Sequence, residues 1–91
     1  MDDFARFSGS ITDNGEIIRF SVSREIIKKY RMDFPITRFL VKGQHPRQGS
    51  FSFFLKQDED DHFSWISQYR PEFLSDKFIK QLGLLIEHHT A

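Results

Sequence analysis

FARFSGSITDNGEIIRFSV, residues 4–22, fixes the register on which the rest of the chain is read. Asn14-Gly15 at its centre is a pair able to adopt the positive φ angles of a primed two-residue hairpin turn. That turn sets Asp13 against Glu16. Counting outward, Ile11 faces Ile18, Gly9 faces Phe20 and Phe7 faces Val22, an apolar side. Arg6, Ser8, Ser10 and Thr12, with Ile17, Arg19 and Ser21, fall on the other side. A slip of one residue would bury the arginines, so burial enforces this pairing.

Downstream, Ser23 is a good N-cap for a short helix through REIIKKYR (24–31), with Val22 and Ile27 placed as a hydrophobic staple. Ile26, Ile27 and Tyr30 form its stripe, and Pro35 disfavours a helical Phe34 and stops it. From Ile36 to Lys42 the chain alternates again, Thr37, Phe39 and Val41 against Arg38, Leu40 and Lys42. GQHPRQG (43–49) reads as a loop whose Gly43 and Gly49 serve backbone geometry. A further strand is expected over 62–67, where Phe63 and Trp65 alternate with Ser64 and Ile66, a short helix being the other reading. The clearest helix follows Ser75: Leu74 can staple to Ile79, and Phe78, Ile79, Leu82, Leu85 and Ile86 recur at spacings of three and four. Gly83 within it indicates close packing or a weak point, because glycine costs about 1 kcal/mol relative to alanine there.

The run SFSFFLK (50–56) decides which face is free. Phe51, Phe53 and Leu55 point one way, and Ser52, Phe54 and Lys56 the other. The basic-Gly-aromatic pattern of RQGSFSFF has only a loose likeness to RNA-recognition strands. Ser50 intrudes after Gly49, Lys56 replaces an apolar residue, and the element order differs. Phe51, Phe53 and Leu55 are therefore assigned to the core. Phe54 is left outside with Leu40 and Ile17, among Arg6, Arg19, Arg38, Lys42 and Lys56. By this count the open face carries five bases and no acid.

The expected fold is α+β and two-layered, an antiparallel sheet of four or five strands in the order β-β-α-β-β-(β)-α. Both helices lie on one face, in a single domain spanning residues 1–91. Eleven Phe, one Trp and two Tyr supply the core, and 29% charged residues place the chain among globular proteins. Formal net charge is zero but unevenly spread: residues 24–47 hold seven bases against two acids, and the flanking segments are acidic. A dedicated duplex-DNA binder, which neutralises many phosphates, is disfavoured by that balance.

No cysteine is present, so neither disulfides nor thiolate metal sites arise. MDDFARFSGS has acids where a signal peptide needs bases, and no apolar run reaches a membrane span, which leads us to expect a cytoplasmic protein. QDEDDHF (57–63) lacks the alternation and glycine of a calcium loop and reads as a solvated turn. His88 and His89 are adjacent on the terminal helix and cannot share a metal as an i, i+4 pair would. No catalytic residue, cofactor or metal is assigned.

The expected function is non-enzymatic: an adaptor, inhibitor or regulator docking on an acidic protein surface through Phe54, Leu40, Arg38, Lys42, Arg19, Arg6, Lys56 and Ile17. His45 and Arg47 are candidate loop contacts, and a homodimer through the same face is a variant of this reading. Single-stranded nucleic acid stacked on Phe54 is the alternative. A small ribonuclease-like toxin using His45, Arg47 and Lys42 ranks third.

Overall fold

The computed structural model describes residues 6–27, 36–58 and 64–90. The elements run β1 (Arg6–Asp13), β2 (Glu16–Ile27), β3 (Ile36–His45), β4 (Gly49–Gln57), β5 (Trp65–Gln68) and α1 (Asp76–Thr90). The strands form one antiparallel meander in the order β1-β2-β3-β4-β5. Asn14 and Gly15 have φ of 51° and 78°, as the primed turn requires, and the ladder pairs Asp13 with Glu16, Ile11 with Ile18, Gly9 with Phe20 and Phe7 with Val22.

The α+β class stands, but the expected helix after Ser23 does not. Arg24–Ile27 continue β2 and pair with Ile36–Phe39 of β3. The capping signal is a local preference, and the ladder to β3 satisfies the same backbone groups. The rest of that proposed helix, residues 28–31, lies outside the described residues. So do Met1–Ala5, Phe34, Pro35, the acids 59–61, His62 and Phe63. Among the described residues α1 is the one helix, and the order is β-β-β-β-β-α.

Nor do residues 43–49 form the expected loop. Both flanking strands extend into it, His45 pairs with Gly49, and only Pro46–Gln48 turn. Gly49 closes this hairpin at φ 88°, a left-handed conformation that suits glycine after a three-residue turn. Gly43 is needed for another reason: a Cβ there would collide with the Phe51 ring and lie 2.6 Å from the Arg19 carbonyl oxygen. The strand reading of the 62–67 region holds from Trp65 onward, where β5 pairs with the end of β4.

Phe51, Phe53 and Leu55 do turn inward, with Ile11, Ile18, Phe20, Val22, Phe39 and Val41 of the neighbouring strands. Phe78, Ile79, Leu82 and Ile86 of α1 close the core from one side. Phe20 meets Phe78 edge to face at 6.2 Å, and Trp65 of β5 lies against Gly83 at a distance a side chain at 83 would obstruct. Gly83 thus marks close helix–sheet packing.

Ser75 caps α1 as expected, its Oγ accepting from the Phe78 amide at 3.1 Å. Asp13 anchors that cap to the first hairpin. Its carboxylate accepts from the Ser75 hydroxyl at 2.5 Å and from the Ser75 amide at 3.2 Å, which explains why an acid is tolerated at 5% exposure. At the other end of the helix, His89 stacks on Phe7 at 4.0 Å and Trp65 Nε1 donates to Glu87 at 3.5 Å. The helix is thereby held to β1 at both ends and to β5 near its C-terminus. α1 covers one face of the sheet, and among the described residues no element packs on the other. Among the described residues no helix is long and apolar enough to cross a membrane.

Candidate functional site

The ladders decide which side chains share the open face, because residues directly opposite in an antiparallel pair project the same way. Arg6 pairs with Ser23, Ser23 with Leu40, Leu40 with Phe54 and Phe54 with Gln68, a row running across all the strands. The next row toward the Asn14-Gly15 turn contains Ser8, Ser21, Lys42 and Ser52. Beyond it stand Ser10, Arg19, Gln44 and Ser50, and then Thr12 beside Ile17. In the opposite direction Glu25 pairs with Arg38, and Lys56 with Ile66.

All eight residues assigned to the face from sequence are therefore brought to one side of the sheet: Phe54, Leu40, Arg38, Lys42, Arg19, Arg6, Lys56 and Ile17. Arg6, Arg19, Lys42 and Lys56 are exposed, and Ile17 and Ile66 are 61% and 43% exposed. Phe54 and Leu40, directly opposite each other, are half-buried by their neighbours and form an apolar centre.

Glu25 overturns the expectation of a face without acids. The extension of β2 carries it onto the open side, where the Arg38 Nε donates to its Oε1 at 2.8 Å. The Arg38 guanidinium also lies 4.0 Å above the Phe54 ring. Arg38 is thus bound on two sides, by a carboxylate and by an aromatic ring. The signal that could have placed Glu25 is the opposite-charge pair itself: Glu25 and Arg38 stand across from each other only if β2 runs on past Ser23. Among the described residues the face holds five bases and this one acid.

His45 and Arg47 are not part of this face. His45 ends β3 on the helix side at 5% exposure, so it is not a loop contact. Its Nδ1 accepts from the backbone amides of Arg47 and Gln48, both at 3.1 Å, and its ring packs on Phe73. With Nδ1 accepting, the proton resides on Nε2, which points toward Glu16 Oε1 at 3.8 Å. Arg47 is exposed but engaged, its Nε and a terminal nitrogen donating to the two Glu16 oxygens at 2.8 and 2.5 Å. That fork holds the Glu16 carboxyl below its ordinary pKa, the Arg47 hydrogen bond being the main cause. Arg47 is correspondingly raised by Glu16. Lys42 projects from the opposite side of the sheet to His45, so the grouping of His45, Arg47 and Lys42 imagined for a ribonuclease is not assembled. His45 and Arg47 instead tie the Pro46–Gln48 turn to Glu16 beside the Asn14-Gly15 turn.

Among the described residues no group of His, Asp and Glu side chains is placed to hold a metal ion. Comparison with protein-family models, curated proteins and solved structures returns no match for this chain.

Proposed function

We propose that the protein acts by docking on the acidic surface of a protein partner through the open face of its sheet, as an adaptor, inhibitor or regulator. The observation that carries this reading is the sheet face on which, among the described residues, no element packs. Phe54 and Leu40 form its apolar centre, and Arg6, Arg19, Lys42 and Lys56 surround them with no ion pair among the described residues. Desolvating a small apolar centre while outlying cations steer an acidic partner is how such surfaces combine affinity with association rate.

Arg38 has a different role from the one its sequence position suggests. Its charge is shared with Glu25 and its plane with Phe54, so it stiffens the centre rather than offering a free cation. That arrangement favours a protein over single-stranded nucleic acid. A base stacking on Phe54 would have to compete with a guanidinium already seated there.

The test is affinity capture followed by identification and direct titration of the captured partner. Wild type should retain an acidic partner at low salt and lose it at high salt. Phe54→Ala should weaken it by more than about 1 kcal/mol, and Lys42→Glu should slow association. Lys77→Glu, an exposed change on the helix, should leave it untouched. An identical set of captured proteins for wild type and both face variants would refute the proposal. So would tight binding of labelled single-stranded oligonucleotides that the same substitutions abolish.

A further inference from the structure

The two edges of the sheet are treated very differently. At one side β5 is only four residues long and is followed by Tyr69 at φ 66°, a left-handed residue that ends the strand. Short edge strands of this kind offer little to pair with. At the other side β1 offers eight residues, RFSGSITD, without proline or lysine. Its ladder to β2 runs Arg6–Asp13 with no residue skipped, so no bulge breaks it. Among the described residues no other strand pairs with its outer edge.

Hydrogen-bond alternation shows which groups that edge presents. A two-residue turn closes on a hydrogen-bonded pair, here Asp13 with Glu16, so Asp13, Ile11, Gly9 and Phe7 direct their backbone groups toward β2. Arg6, Ser8, Ser10 and Thr12 direct theirs outward. The strand is complementary to itself about Gly9. In an antiparallel pair centred there, Ser8 of one copy meets Ser10 of the other and Arg6 meets Thr12, which engages every outward group of both strands. The faces stay matched as well. On the helix side Phe7 would stand opposite Ile11, and Gly9 opposite Gly9, with the Phe20 ring tip near each glycine. Glycine inside a strand suits a place where another backbone approaches closely.

We propose that β1 is a homodimer interface, joining a second copy of this chain edge to edge into one continuous antiparallel sheet about a twofold axis at Gly9. The open face stays free in this dimer and is doubled in extent, so partner docking and self-association are separable. The partner here is selected by register and hydrogen-bond pattern, not by the cations of the face.

Light scattering after size exclusion on the full chain tests it. The wild-type mass should rise with loading concentration from 10.8 kDa toward twice that value. Ser10→Pro removes an outward amide without touching the β1–β2 ladder and should hold the mass at that of the monomer. The double variant S8K/S10K places lysines opposite each other across the twofold and should do the same. S8K/S10E places lysine opposite glutamate in the same register and should keep the dimer. Far-UV circular dichroism confirms folding, and the lysine and glutamate variants decide the matter should proline disturb the strand. A monomer at every concentration overturns the proposal. So does a dimer that survives S8K/S10K, or one dissociated by Phe54→Ala while S8K/S10K leaves it intact.

Discussion

Replacing Gly83 by alanine sets two physical effects in opposition, and the packing of Trp65 against the helix decides which wins. In an exposed helix the change would stabilise by about 1 kcal/mol, since alanine loses less backbone entropy on folding. Here a Cβ at 83 would come within 2.8 Å of Cδ1, Nε1 and Cγ of Trp65. Those distances are well inside van der Waals contact, and the indole is not free to yield. Phe39 packs against it at 5.8 Å between centroids, and its Nε1 donates to Glu87 at 3.5 Å. Overfilling a packed contact costs roughly 1–3 kcal/mol. Set against the gain, the net effect is a destabilisation of about 1 kcal/mol, equivalent to roughly 4–8 °C in Tm for a domain of this size. The single Trp makes the assay direct, because urea unfolding followed by fluorescence reports both stability and the displacement of the ring. Emission of the folded variant should shift as the indole moves outward. In a Trp65→Leu background, followed by far-UV circular dichroism, the same substitution should turn neutral or stabilising. That change of sign is a coupling of about 1–2 kcal/mol between the positions. A Gly83→Ala protein more stable than wild type, with unchanged emission, would refute the assigned helix–sheet packing.

Asp13→Ala removes both acceptors of a part-buried Ser75 hydroxyl and amide; a loss of about 1–2 kcal/mol in urea unfolding is expected, with Asp13→Asn milder. His45→Ala should cost ~2–3 kcal/mol, chiefly because it opens space beside Phe73 and also removes the acceptor that fixes the Arg47 and Gln48 amides in the turn. Glu16 should titrate below its ordinary value in a carboxyl-detected NMR titration, returning toward it in Arg47→Gln. Since its folded pKa is depressed, its contribution to stability is complete above the unfolded value near 4.5 and fades as pH falls through the lowered one. Arg38→Gln should change stability by less than about 1 kcal/mol, the usual worth of a half-exposed ion pair, which separates its role in binding from any role in folding.

Legibility from sequence followed the length scale of the interaction. The first hairpin was readable because Asn14-Gly15 imposes its turn locally and one register alone buries Ile11, Ile18, Phe20 and Val22. The inward assignment of Phe51, Phe53 and Leu55 followed from parity within one strand. The cap at Ser75 was visible too, but not its partner Asp13, 62 residues away, since no local rule ties a hairpin turn to a helix start. His45 read as a loop residue because Gly43, Pro46 and Gly49 punctuate the segment; its burial depends on Phe73, remote in sequence. At Arg24–Ile27 helix and strand were both locally satisfactory, and the pairing with β3 decided between them.

That one misreading also accounts for the missing acid. Each residue added to β2 moves the next side chain to a known face, so extending the strand past Ser23 places Glu25 across from Arg38 as a geometric consequence. The open face then divides into two parts with distinct physical roles. Its centre is pre-assembled: Glu25 holds Arg38, and Arg38 covers Phe54, so little side-chain entropy remains to be lost there on binding. Its periphery, Arg6, Arg19, Lys42 and Lys56, consists of exposed cations on separate strands, whose attraction is long-ranged and salt-sensitive. Substitutions at the centre should therefore act chiefly on dissociation of a complex, and charge reversal at the periphery on association. Measured rate constants for Phe54→Ala and Lys42→Glu, each against salt, distinguish the two. If both substitutions altered the association rate alone, the centre would contribute no contact and the binding would be purely electrostatic.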